Sequence, residues 1–300
     1  MKKSKVAIVI VYYKAQKEFF DCLQSLSVSD FASYSEVIIV DNNDTKEPQI
    51  EEKIKKIIKV ANYIPSKKNI GFGSAMNLGV TKAHAEYLFL LNSDVQVMKE
   101  TVRLLYNFCK NTDYSGLSPL ILDKNMTEMA VQGSSILTPI AGIFSLGFLN
   151  KYFPNNIFSK RYYLKNQEFL DTTEVDVLNG SALFIKKNVF KSVRGFDENM
   201  FLYFEEADIF LRLKKLGYKF AIYPEANVIH KGGASAKSNP DSKKHFANSR
   251  FYYFKKNYGI ISALIVEIFS RINIKAIFIL IIILGSAISI SQVIKARLIS

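Results

Sequence analysis

The sequence predicts an α/β fold, a mostly parallel mixed sheet flanked by helices and followed by a C-terminal membrane helix. Strand-length apolar runs alternate with segments of helical spacing from Val6 onward, the pattern of parallel strands covered on both faces. The early runs end in polar residues, and open parallel sheets hold their ligands beyond those strand ends. Of the 300 residues, 49% are hydrophobic and 22% are charged. That supplies one large core or two small ones and excludes disordered, collagen-like and disulfide-scaffold chains.

The elements follow in order. The basic start and the run VAIVIVYY superficially imitate a signal peptide, but the run is short and lacks small-residue cleavage chemistry, so it is expected as a buried first strand. Phe19, Cys22, Leu23 and Leu26 then recur at helical spacing before the strand EVIIVD, which makes a βαβ unit. Ile50, Ile54, Ile57 and Ile58 mark a second amphipathic helix, and a helix over 74–83 leads into EYLFLLNSD. Residues 111–174, with the apolar piece TPIAGIFSLGFLNKYF, lose the alternation and receive no assignment. Order resumes with the strand VDVLNGSALFI, a helix near 187–193, a turn over 194–198 and a helix over 206–216. Cys22 and Cys109 sit in apolar helical patterns without metal-ligand spacing, which points to core packing in a reducing compartment.

Lys and Arg number 40 against 27 Asp and Glu, for a net charge of +13 that suits a phosphate-rich ligand, an anionic membrane surface or nucleic acid. Near the C-terminus, AIFILIIILGSAISISQVI runs uncharged from 276 to 294 between Lys275 and Lys295, close to the ~20 residues that span hydrocarbon. A transmembrane helix is expected there, a buried core helix being the alternative. The preceding segment mixes Tyr, Phe, Lys and Arg with apolar residues as interfacial anchors do. The chain therefore divides into a folded domain over 1–255, an interfacial segment over 256–275 and the membrane helix.

Candidate chemistry collects where strands end. Tyr12 and Tyr13 close the first run, Asp41 with Asn42 and Asn43 the second, and Asn92, Ser93 and Asp94 the third. A single carboxylate at such a position is as readily a turn former; three strand ends on one sheet edge point to a ligand. In KKNIGFGSAMNLG the glycines let backbone approach a ligand and the following helix N-terminus favours anions. It is not a dinucleotide fingerprint, because Met76 replaces the third glycine and the glycines follow Asp41 instead of preceding it. That disfavours a nicotinamide oxidoreductase. Asp94 offers a hard oxygen for Mg²⁺ or Mn²⁺, and His230, ending ANVIH, is either structural or a further ligand of the same ion. Glu205, Glu206 and Asp208 open a helix after the aromatic run MFLYF, where the helix dipole alone favours them. An aromatic surround can also raise a carboxylate pKa into the range of a general base.

Taken together, VIVYYK, VIIVDNN, KKNIGFGSAMNLG, YLFLLNSDV, LNGSALFIKK, GFDENMFLYFEEADIFLRLKKLGYK and HKGGAS resemble the family 2 glycosyltransferases of the GT-A fold. The likeness spans about residues 5–255 and is strongest to the rhamnosyltransferase-like members that extend bacterial surface polysaccharides. It implies a nucleotide-sugar donor bound by Tyr12, Asp41, Asn69, Gly71, Asn77 and Asn92, with thymidine-diphosphate rhamnose the preferred donor. It implies Mg²⁺ or Mn²⁺ at Asp94, with His230 beside the metal or diphosphate. The family's Asp-x-Asp motif has Asn92 in its first position here, which leaves one carboxylate. Glu206 stands where the family has its catalytic base, and Glu205 and Asp208 would position acceptor or base. The implied reaction is inverting sugar transfer to a lipid-linked saccharide, by a catalytic domain on the cytoplasmic side of the cell membrane, with no nucleic-acid partner. A membrane-anchored sugar-binding or scaffolding protein without activity is the alternative.

Overall fold

A computed structural model describes residues 4–45, 47–165, 167–232 and 240–271. The expected membrane helix over 276–294 lies outside the described residues, as does most of the glycine- and serine-containing loop after His230. Among the described residues, no helix is long and apolar enough to cross a membrane.

The first half is built as the periodicity requires. Strand β1 (Val6–Tyr12), helix α1 (Gln16–Ser27), β2 (Ser35–Asp41), α2 (Ile50–Ile57), β3 (Asn62–Pro65), α3 (Phe72–Thr81) and β4 (Tyr87–Asn92) form successive βαβ units. β1 pairs in parallel with β2 and β4, and β2 with β3. Alternation along β1 sends Ile8 and Ile10 into the cluster under α1 and α2, and Val9 and Val11 into the opposite cluster under α3. Both faces are covered, which is why the strand is apolar throughout.

The second half departs from the expected mostly parallel sheet. After β5 (Val95–Val97) and α4 (Thr101–Lys110), β6 (Gly116–Leu122) and β7 (Gly133–Ser134) precede three short helices, α5 (Pro139–Ser145), α6 (Phe148–Tyr152) and α7 (Ile157–Tyr162). These occupy the stretch that the sequence left unassigned. The expected strand VDVLNGSALFI breaks into β9 (Val177–Leu178) and β10 (Ala182–Lys186), after β8 (Thr173–Val175). The break is an Asx-type turn in which the Ser181 N–H donates to Asn179 Oδ1 at 2.9 Å. Helix α8 (Lys187–Ser192), α9 (Glu205–Lys215) and the long β11 (Phe220–His230) complete the sheet. Its order is β3-β2-β1-β4-β10-β6-β11-β5, with β8 beside β11. β10 runs antiparallel to both neighbours and β11 antiparallel to β5 and β8, so parallel and antiparallel pairings are equal in number.

Two further helices, Ser242–Tyr258 and Ile260–Arg271, pack back on α9 through a third cluster that joins Phe204, Ala207 and Leu211 to Tyr253, Phe254, Ala263 and Val266. The expected boundary at 255 therefore falls inside a helix, and much of the segment 256–275 is docked on the domain. Cys22 and Cys109 are buried and free, and burial pushes both thiols up, Cys109 to about 11.

Candidate active site

The parallel register aligns the strand ends that carry the candidate residues. Tyr12 stands opposite Asp41, and Val11 opposite Asn92. Beyond this edge lies a cavity of about 290 Å³. Its walls include Tyr13, Asn42, Asn69, Gly71, Asn92, Asp94, the 179–181 turn, Phe201, Tyr203, Glu205, Glu206 and His230.

One wall is a closed hydrogen-bond network. Asn42 is buried; its Nδ2 donates to Asn69 Oδ1 at 3.0 Å and its Oδ1 accepts from the Ile70 N–H at 2.9 Å. Asn69 Oδ1 also accepts from the Gly71 N–H, and the Asn69 N–H donates to Asp44. Gly71 has φ of 87°, and a Cβ there would stand 2.6 Å from the Phe201 carbonyl oxygen, so the approach of this loop to the 201–204 segment requires glycine. The next residue, Phe72, donates its N–H to that same carbonyl at 2.9 Å.

The opposite wall is built from β4, β5, β11 and α9. Antiparallel pairing places His230 opposite Val95, next to Asp94, and brings His230 Nε2 to 3.2 Å from Asp94 Oδ1. Neither ring nitrogen of His230 has a hydrogen-bond partner among the described residues, and the buried Oδ1 of Asn92 has none either. Tyr203 and Phe204, both left-handed at φ of 70° and 69°, turn the chain into α9 and present Glu205 and Glu206 to the cavity. Glu205 is buried with Oε2 unpartnered. Burial, and then the charge of Glu206, hold Glu205 well above the usual carboxylate range. Glu206, only half-buried, is raised by burial.

The cavity thus gathers Asn69, Gly71, Asn92, Asp94, His230, Glu205 and Glu206, and leaves out four expected residues. Tyr12 stacks on Phe19 at 4.2 Å and points its hydroxyl at Glu47. Asp41 accepts from the Tyr63 hydroxyl at 2.5 Å and from Asn43, behind the cavity wall. Asn77 braces the 195–198 turn, accepting from the Phe196 N–H and donating to the Phe196 carbonyl. Asp208 faces away and is fully engaged by Arg212 and Lys256, both at 2.7 Å, and by Asn257. Helix geometry sets Asp208 about 200° round the axis from Glu206, and its carboxylate meets the Ser242–Tyr258 helix instead. Among residues the sequence did not single out, Ser181 lines the cavity with its Oγ unpartnered, and Phe201 forms part of the roof. The quoted motifs LNGSALFIKK and MFLYF contained them, but only the fold turns them inward.

The donor set fits a divalent cation. Asp94 supplies a carboxylate, His230 an imidazole whose Nε2 lies 3.2 Å from that carboxylate, and Asn92 an unpaired amide oxygen. Among the described residues no group of three or more His, Cys, Asp or Glu surrounds one point, so such a cation would depend on oxygens brought by substrate.

The fold is that of known sugar transferases. The crystal structure of GalNAc-T7 with UDP, GalNAc and Mn²⁺ matches with a TM-score of 0.58 at 15% identity, covering 85% of this chain and 51% of that one. S. aureus TarS 1-349 matches with a TM-score of 0.53 at 14% identity, covering 88% and 70%. The α/β fold is GT-A-like, a mixed sheet flanked by helices. Residues 7–194 match the Glycosyl transferase family 2, and the chain belongs to that family. It is 28% identical to the N-acetylglucosaminyl-diphospho-decaprenol L-rhamnosyltransferase of Mycobacterium tuberculosis over 82% of each chain. Identity to the rhamnosyltransferase WbbL of Escherichia coli K12 is 25%, over 84% of this chain and 91% of that one. Identity to the low-salt glycan biosynthesis hexosyltransferase Agl10 of Haloferax volcanii is 26%, and there the chain spans 66% of the relative's length.

Proposed function

We propose that this glycosyltransferase moves a sugar, rhamnose by preference, from a nucleoside-diphosphate donor to a hydroxyl of a lipid-linked saccharide in cell-surface polysaccharide synthesis, with inversion at the anomeric carbon. The observation that carries the reading is the gathering, in one cavity, of the Glu205–Glu206 pair with Asp94, His230 and Asn92. Two relatives named as rhamnosyltransferases, one of them for a decaprenol-linked sugar, support the choice of sugar and acceptor.

The chemistry needs a base for a neutral alcohol and compensation for an anionic leaving group. Burial raises both carboxylates, Glu205 further under the charge of Glu206, and the base is assigned to Glu206, the less buried of the pair. Glu206 takes the acceptor hydroxyl proton as the oxygen bonds to the anomeric carbon. The bond from that carbon to the diphosphate breaks on the opposite face, and the diphosphate leaves with the electron pair. Asp94, His230 and the Asn92 amide oxygen would hold Mg²⁺ or Mn²⁺, which when bound supplies positive charge beside the diphosphate. Asn42, Asn69 and Gly71 fix the wall against which the donor lies. The cell membrane, with the catalytic domain on its cytoplasmic side, is where a nucleotide sugar and a lipid-linked acceptor meet, and the apolar run over 276–294 suits an anchor there.

A panel of nucleotide sugars offered with a polyprenyl-diphosphate saccharide tests the reading. Transfer of rhamnose in preference to hexoses, giving the anomer opposite to that of the donor, is expected; retention of configuration or indifference to every nucleotide sugar overturns it.

A further inference from the structure

We propose that the face formed by residues 139–165 and the helix Ile260–Arg271 docks on an anionic lipid bilayer, lying in its headgroup layer. The proposal rests on the membrane reading above but concerns a surface outside the active-site cavity and outside the 276–294 segment.

The helix Ile260–Arg271 is placed the wrong way round for a surface helix of a free domain. It buries Ala263 and Val266 and exposes Ile260, Ile261, Leu264, Ile265 and Ile268, with Ile261 72% exposed. Beside it, α5–α7 expose Ile140, Tyr152, Phe153, Ile157 and Phe158, with Ile157 73% exposed. The two parts adjoin: the Phe148 and Phe269 rings lie 6.2 Å apart and nearly parallel. Of the seventeen exposed large apolar side chains among the described residues, ten lie in these two segments, a concentration that scattered surface exposure does not produce.

Charge selects the occupant. Residues 139–165 and 260–271 carry five Lys and Arg and one acid, Glu267. Arg271 pairs with Glu267. The other four have no acidic partner among the described residues; three of them, Lys151, Lys160 and Arg161, are interleaved with the exposed aromatic and aliphatic side chains. Apolar side chains set among unpaired cations fit a surface of acyl chains beneath anionic headgroups. A twelve-residue helix reaches about 18 Å, against about 30 Å of hydrocarbon, so it lies along the bilayer. The 276–294 run begins five residues beyond Arg271, so an anchor there would start from this same face.

The test uses the full chain with a single environment-sensitive label at Ile157→Cys, Ile261→Cys or, as control, Val60→Cys, which is 82% exposed between α2 and β3. The natural cysteines are buried and stay unlabelled. With phosphatidylcholine–phosphatidylglycerol vesicles carrying a lipid-borne quencher, emission from 157 and 261 is expected to fall by about half or more, with insertion of roughly 5–10 Å, while 60 is unaffected. Vesicle-bound protein whose 157 and 261 labels stay unquenched is held by 276–294 alone and overturns the proposal. Labels shielded from a soluble quencher without vesicles mean that 276–294 or a second copy covers the face, which also overturns it. Equal quenching in pure phosphatidylcholine contradicts the anionic preference. Sugar transfer is not read, so failure here is distinct from failure of the transferase reading.

Discussion

The two walls of the cavity handle polar groups in opposite ways. The Asn42 amide is satisfied on both sides within the protein, donating to Asn69 Oδ1 and the Gly71 carbonyl and accepting from the Ile70 N–H and the Ser66 hydroxyl. Across the cavity, Asn92, Ser181, Glu205 and His230 contribute five of the seven buried side-chain polar atoms without a partner among the described residues. A buried polar atom without a partner forfeits about 1–3 kcal/mol of hydrogen bonding, which a ligand or an ordered water restores. The first wall is thus preformed, whereas the second keeps polar groups open to a ligand.

The strongest way to break this comparison is to neutralise the open wall. Glu206→Gln keeps shape and hydrogen-bonding capacity but accepts no proton, and is expected to lower transfer by roughly 10²-fold or more with donor affinity little changed. Glu205→Gln, at the neighbouring carboxylate, is expected to cost less. Transfer rates and donor dissociation constants for both variants check this, and a loss confined to donor affinity would make Glu206 a binding residue. Next in size, Asp94→Ala removes the only charged oxygen donor of its motif and is expected to lower transfer by about 10²-fold, with loss of any response to added Mg²⁺ or Mn²⁺. Chelator-resistant activity in the wild type would remove the cation from the account.

Asp208 sharpens the contrast from within α9 itself. Its carboxylate is fully buried between Arg212 and Lys256, so Asp208→Ala is expected to destabilise the fold by about 1–3 kcal/mol through the lost charge-assisted hydrogen bonds, Lys256 keeping Asp197 and Arg212 the Val193 and Gly195 carbonyls. Thermal unfolding measures the loss, while transfer per folded molecule should fall far less than in Glu206→Gln. In the closed wall, Asn42→Ala leaves the Ile70 N–H and Asn69 Oδ1 short of partners and is expected to cost about 1–3 kcal/mol, read as weaker donor binding with the rate at saturation nearly kept.

How much of this was legible in the sequence follows the range of the interactions. The βαβ half was legible because its periodicity is local: Phe19, Cys22, Leu23 and Leu26 are all buried as spaced, and the ends of β1, β2 and β4 align because parallel register follows from the pattern. Asp94, His230 and the Glu205–Glu206 pair were legible as candidates from strand ends, residue type and the aromatic run, and received their roles from the family resemblance of their motifs; they meet in one cavity. Tyr12, Asp41, Asn77 and Asp208 share those motifs yet face elsewhere, because side-chain direction at a strand end or helix start turns on partners far along the chain. Asp208 finds Lys256 and Asn257, 48 and 49 residues away, and Asn77 finds Phe196, 119 residues away. The short helices over 139–162 were illegible because their order comes from packing against the Ser242–Tyr258 and Ile260–Arg271 helices; Tyr253 and Tyr258, for example, both donate to the Leu137 carbonyl.

The claim that the open wall holds the reacting base is tested most directly by the pH dependence of transfer at saturating donor and acceptor. A base must be ionised, and burial raises Glu206 above the ordinary carboxylate value, so the rate should climb with pH through an apparent pKa above about 4.5. Glu205→Gln should keep that limb, since burial is what raises Glu206, and Glu206→Gln should lose it and retain only a low, flat rate. A Glu206→Gln enzyme with the same rising limb as the wild type would place the base elsewhere and contradict the account.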